Sequence, residues 1–263
     1  MPSSALIKRA RNRHTALTVI VWLPITCFML KYSILDTETG GLDHDVNGLA
    51  SVGLISPDNK SLYMLVKPVP GLIYSEEALA VNGFTLEQLE RNGVPEPVAL
   101  ASAMSFIKEE CGGSFLCGSN IPFDMDFMKS AAKRCGGEIE EFFTRKLHRR
   151  TCELQTVALM AHDLGIIQLP DNPKDPSVPS YSLDAVLSCL DMKRSTEVHT
   201  ASEDCLLTRA ALMTLRKKMF AAIGRSEEGG ESQTPELGNA IENGLQGKQA
   251  SAPSRSESGE KQL

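Results

Sequence analysis

Positive charge is in short supply: 27 Lys and Arg stand against 33 Asp and Glu, for a net charge of -6. A protein that coats nucleic acid by neutralising phosphates has the opposite balance, so any nucleic acid this chain handles is expected to be gripped at an end. Aromatic residues make up only 5% of the sequence, with one Trp, which leaves few platforms for stacking successive bases. The seven cysteines are odd in number, scattered and without a CxxC pair. Neither a disulfide framework nor a zinc knuckle is indicated, and a reducing, cytoplasmic setting is expected. The sequence also lacks a clean apolar run of the roughly 20 residues that a spanning helix needs. Its longest such stretch, Ala16 to Leu30, contains Pro24 and shows no small-x-small cleavage site. Lys8, Arg9, Arg11 and Arg13 precede it in the charge-then-apolar order of a signal or anchor, so residues 1–29 form a leader whose status stays open. Either they target the chain, or Met29 is the natural start and everything upstream is dispensable.

What is present suffices for one good core. With 263 residues and 42% apolar composition, one domain with tails fits better than two full domains. Tyr32-Ser33-Ile34-Leu35 predicts a strand that ends at Asp36, before the Gly40-Gly41 turn. Strands over 49–55 and 62–66 flank Ser56-Pro57-Asp58-Asn59-Lys60, a loop of hairpin chemistry. Helical patterns follow near 75–82, 85–91 and 96–110, then a strand over 114–117 and a helix over 122–135 that opens on Pro122. Further helices are expected over 153–164, 181–190 and 202–222, with the proline-bearing segment 165–179 as a loop. The order predicts an α/β fold: a mixed central sheet, antiparallel in its first strands and then parallel, flanked by helices. The domain is expected to span 30–222. From 223 to 263, Gly, Ser, Glu and Gln dominate, and four basic residues face seven Glu, so a disordered acidic tail is expected.

Chemistry is suggested by three short stretches. Asp36-Thr37-Glu38 puts two carboxylates at alternate positions of an extended chain, hence on one side of it. A D-x-E pair alone is weak, being expected about once by chance in a chain of this size. Asn120-Ile121-Pro122-Phe123-Asp124 sets an acid just inside a helix. His199-Thr200-Ala201-Ser202-Glu203-Asp204 sets a histidine five residues before an acid that opens another helix. Each has a bland reading as surface acids, helix-dipole acids or a capped helix start.

Together, in this order and at these element ends, they resemble the DEDDh exonucleases of the ribonuclease H-like superfamily, the group that includes the proofreading epsilon subunit of bacterial DNA polymerase III and ribonuclease T. The resemblance is carried by Ile34-Leu35-Asp36-Thr37-Glu38-Thr39-Gly40-Gly41-Leu42, by Asn120 to Asp124 with Phe127, and by His199, Ala201 and Asp204. Glu77 to Phe84 and Tyr181-Ser182-Leu183-Asp184 also resemble family segments. Ser119 and Cys205 depart from it, standing where many relatives have histidine and alanine.

The resemblance implies metal-dependent 3'-5' cleavage of single-stranded nucleic acid, with two magnesium ions, or manganese in their place, held by Asp36, Glu38, Asp124 and Asp204. In the family's arrangement Asp36 bridges both ions, Glu38 and Asp204 complete the site of the attacking water, and Asp124 supports the second ion. Hard divalent cations prefer such carboxylate oxygens. His199 is the implied general base, since imidazole titrates near neutral pH. The 3' end is expected against the first stretch, with Thr37, Thr39, Leu42, Asn82, Phe84, Asn120 and Phe123 as candidate substrate contacts. Arg145-Lys146 with His148-Arg149-Arg150 is the main basic cluster, suited to a phosphate backbone or merely to a solvated helix end.

Single-stranded DNA is slightly favoured as substrate over RNA 3' ends. Two other readings stay open: a non-catalytic module that recruits a polymerase subunit through the tail around Gln233 to Leu237, and a membrane-anchored nuclease should the leader be a real anchor.

Overall fold

In the computed structural model, residues 30–147, 151–195 and 198–224 are described. The leader 1–29, the tail beyond residue 224 and the basic residues His148, Arg149 and Arg150 lie outside them. All elements below belong to the unit that starts at Lys31.

Strand β1 (Tyr32–Thr39) is the axis of a five-stranded sheet ordered β3-β2-β1-β4-β5. On one side it pairs antiparallel with β2 (Leu49–Ile55), which pairs antiparallel with β3 (Ser61–Leu65). On the other it runs parallel to β4 (Phe115–Gly118), and β4 runs parallel to β5 (Thr151–Glu153). The mixed sheet expected from the sequence is therefore present. However, β1 does not end at Asp36: its ladder with β2 continues to Thr39, because β2 supplies partners along the whole length.

Side-chain alternation along β1 divides the interior. Ile34 joins a core with residues of α6 (Leu154–Asp163), α7 (Leu183–Cys189) and α8 (Ala201–Ala222). Leu35 points the other way, into a core with α3 (Glu96–Glu110) and α4 (Ile121–Cys135). Each large apolar side chain so buried contributes roughly 1.5–3 kcal/mol. Between β3 and α3 lie two short helices, α1 (Glu76–Asn82) and α2 (Leu86–Asn92). The Glu96 carboxylate accepts from Arg134 Nε at 3.0 Å and Nη2 at 2.7 Å. This paired fork ties α3 to α4.

Two segments differ from expectation. The predicted loop 165–179 contains a small hairpin, β6 (Asp171–Asn172) with β7 (Asp175–Pro179). A two-stranded ribbon has open edges, so its prolines need not donate to a ladder. The stretch after α4, for which no element was expected, forms α5 (Gly137–Glu141) and a π-helical turn over Phe142–Lys146. Phe142 and Phe143 drive this by burial, packing edge to face at 5.0 Å. Among the described residues, no helix is long and apolar enough to cross a membrane.

Candidate active site

The sheet creates the site by coming apart. β4 pairs with β1 only as far as Ile34, and beyond that point the Thr37 backbone N–H donates instead to Asp124 Oδ1 at 2.8 Å. The Thr37 hydroxyl donates to the same oxygen, also at 2.8 Å. The N-terminal turn of α4 thus sits in the gap at the carboxyl end of the parallel pair, where ligand sites form in open α/β sheets. Glu153, at the end of β5, holds that turn in place: its carboxylate accepts from the N–H of Asn120 at 2.6 Å and of Ile121 at 2.9 Å. Acids at a helix start are favoured by the exposed N–H groups and the helix dipole.

α8 closes the other side. Its N-cap is Thr200, whose hydroxyl accepts from Glu203 N at 3.2 Å, so Asp204 is not used for capping. Gly53, the β2 partner of Asp36, lets α8 approach: a Cβ there would lie 2.7 Å from the Ala201 carbonyl oxygen and 3.1 Å from Cys205 Sγ. Cys205, the departure noted in the sequence, is buried at this contact.

Asp36, Glu38 and Asp204 are thereby gathered: one oxygen from each lies within 4.8 Å of the others. Asp124 is not one of these three; held by Thr37, it acts on Asp36 and Glu38 through its charge. Burial, followed by the charges of Asp124, Asp204 and Glu38, raises Asp36 well above the ordinary carboxylate range. Burial and the charges of Asp204 and Asp124 push Glu38 up to about 8. Asp124 rises to about 7 through burial, although the Thr37 donors oppose this. Asp204 is raised by burial and held back by Arg194. His199 Nδ1 lies 3.5 Å from Asp204 Oδ2.

Arg194 escaped the sequence reading. Its guanidinium pairs with Asp204 and donates through Nε to Asp184 Oδ1 at 2.8 Å. It is the cation that counters part of this negative surplus. The donor set is all hard oxygen, buried and short of positive charge, so it fits divalent cations. Glu153 was missed as well, acting on a helix start 32 residues away. The signal available for Gly53 was a lone glycine within a strand, a mark of close backbone approach.

The candidate substrate contacts fare differently. Leu42 is 88% exposed beside the cluster-bearing strand end, and Asn120 is exposed at the αL N-cap of α4. Thr37 is committed to Asp124, and the Thr39 hydroxyl donates to Gly41 O at 2.6 Å. Asn82 is buried and donates to Thr39 O at 2.9 Å, so the substrate role expected of its side chain is reassigned to an internal one. Phe84 packs with Ala50, Leu79 and Leu89. Phe123 packs 4.8 Å from Phe127 against the core. Both rings are partly buried against the core.

No family model matches the chain. In sequence it is similar to ribonuclease T of Blochmanniella pennsylvanica, 29% identical over 116 residues, covering 38% of this chain and 53% of that protein. Ribonuclease T of Klebsiella pneumoniae is 27% identical over 118 residues, covering 39% and 54%. The chain thus spans about half the length of the curated relatives it matches. In fold it is similar to E. coli exonuclease I in complex with a dT13 oligonucleotide, with a TM-score of 0.60 and 18% identity over 74% of this chain and 43% of that one. The likeness to exonuclease I shows the fold, a five-stranded mixed sheet flanked by helices.

Proposed function

We propose that residues 30–222 form the catalytic domain of a divalent-metal-dependent 3'-5' exonuclease that releases nucleoside 5'-monophosphates from single-stranded nucleic acid. The observation that carries this reading is the convergence of Asp36, Glu38 and Asp204 oxygens within 4.8 Å, with Asp124 and His199 joined to the same group. Asp36, Glu38, Asp124 and Asp204 would hold two magnesium ions, or manganese. Bound there, the ions supply Lewis-acid stabilisation of the charge that builds on the attacked phosphate and on the leaving oxygen.

The chain's own groups do the rest. Thr37 fixes Asp124 through two donors, so that this carboxylate keeps one orientation. His199 takes a proton from the attacking water, with Asp204 beside its Nδ1 to steady the imidazolium that forms. Leu42 and Asn120, both open to solvent, are placed to meet the terminal nucleotides. The unpaired cysteines fit a reducing, cytoplasmic location.

DNA is slightly favoured, since exonuclease I neighbours are complexes with dT13 and dA16 oligonucleotides. The ribonuclease T relatives favour RNA 3'-end trimming as the second reading. Incubating the protein with single-stranded DNA and RNA labelled at either end, with magnesium or EDTA, tests both. Stepwise shortening from the 3' end that EDTA stops is expected. Shortening from the 5' end, metal-independent cleavage or no cleavage would overturn the proposal, and no cleavage would favour a recruiting module.

A further inference from the structure

His199 stands on a loop, yet a general base must be held near the atoms it serves. The backbone around α1 supplies an answer. At its start, the Ser75 N–H donates to Gly40 O at 2.8 Å. At its end, the Asn82 side chain donates to Thr39 O at 2.9 Å, from a position only 5% exposed. Both acceptors belong to the last residues of β1 and the turn after it, directly beyond Glu38. α1 is therefore clamped at both ends to the strand that carries two of the acids. From this clamped helix, Val81 O accepts the N–H of His199 at 3.0 Å. The next residue but one, Gly83, closes α1 in the left-handed region at φ 67°. A Cβ on Gly83 would meet Val198 Cγ1 at 2.3 Å and Cγ2 at 3.3 Å.

We infer that Val81, Asn82 and Gly83 form a positioning bridge that sets His199 relative to Asp36 and Glu38. These residues touch no reacting atom in this role. Val81 fixes the height of the His199 backbone, Asn82 transmits the position of β1 to it, and Gly83 leaves room for Val198 so that the loop lies flat on the helix end. A base displaced by about 1 Å loses rate by about a hundredfold, which is why a clamped helix is worth more here than a free loop. The inference rests on the exonuclease reading and adds to it the part that orients the base.

Gly83→Ala tests it, with Val198→Ala as the counter-substitution. On the proposed reading, Gly83→Ala lowers kcat about tenfold or more with KM within about twofold, while manganese binding measured by calorimetry stays within about twofold. Adding Val198→Ala removes both clashing methyl groups and recovers part of the lost kcat, the left-handed backbone of Gly83 keeping the rest. In a His199→Ala background, Gly83→Ala costs less than about twofold, since groups that act as a unit are non-additive. An unchanged kcat, an equal loss in the His199→Ala background, or no recovery at all with the counter-substitution overturns the inference. Amide hydrogen exchange at His199 gives a readout independent of turnover: faster exchange in Gly83→Ala and Asn82→Ala supports the bridge, and unchanged protection overturns it. A wild-type protein that shortens no strand sinks the exonuclease reading, and the exchange result then judges the bridge by itself.

Discussion

Two regions of the molecule bury charge, and they do so in opposite ways. Between α3 and α4, Glu96 meets Arg134 through two donations at 3.0 and 2.7 Å, one anion against one cation. At the end of β1, Asp36, Glu38 and Asp204 share the guanidinium of Arg194, with the buried Asp124 carboxylate adding to the negative charge. A balanced pair holds helices together and asks for nothing more. An unbalanced group stays costly until positive charge arrives from outside, which is the physical content of a metal site.

The comparison can be broken first at the unbalanced end. Asp36→Ala should lower turnover by roughly a thousandfold or more, while leaving circular dichroism unchanged and raising the melting temperature of the metal-free protein. A metal-free melting temperature that fell sharply would show Asp36 to be structural. Next, Glu96→Ala leaves Arg134 partly buried without its partner and should cost about 2 kcal/mol in urea unfolding, with kcat of the folded protein retained.

The balance also predicts a pH response. Glu38, at about 8 instead of 4.5, and Asp124, at about 7 instead of 3.8, are raised in the folded state. A raised acid binds its proton more tightly when folded, so its contribution is full below the unfolded pKa and is lost as pH climbs through the folded one. Without metal, stability should therefore decline between about pH 4 and pH 8, and added magnesium should flatten that decline. Thermal melts across that range with and without EDTA decide this. The smallest expected effect is that of Arg194→Gln. Removing the competing cation from Asp204 should tighten magnesium binding by about threefold in calorimetry and lower the metal-free melting temperature. Weaker magnesium binding would mean that Arg194 organises the site instead of competing for it.

The acids and His199 drew notice in the sequence because each lies in a short stretch at an element end, and the mixed sheet followed from strands and helices of strong pattern, although the three-residue β5 was too short to show. Arg194, Glu153 and Gly53 were not legible, for a common reason. Their roles exist only through partners distant along the chain: Glu153 on the N–H groups of Asn120 and Ile121, Gly53 beneath Ala201. The bond from Asn82 to the Thr39 carbonyl was not legible either, because a polar side chain in a family-like segment looks the same whether it meets substrate or backbone. The hairpin at 171–179 was hidden by prolines that a two-stranded ribbon tolerates.

The contact between Gly53 and Ala201 has a consequence for when the oxygen cluster is completed. Asp36 and Glu38 emerge early in synthesis, but Asp204 arrives on α8, some 170 residues later. Until that helix settles onto the bare backbone of Gly53, the oxygen cluster lacks a member and the His199 imidazole lacks its neighbouring carboxylate. On the proposed reading, a nascent or partly unfolded chain would carry most of the acids without the means to cut, and cleavage would begin only with the docking of α8.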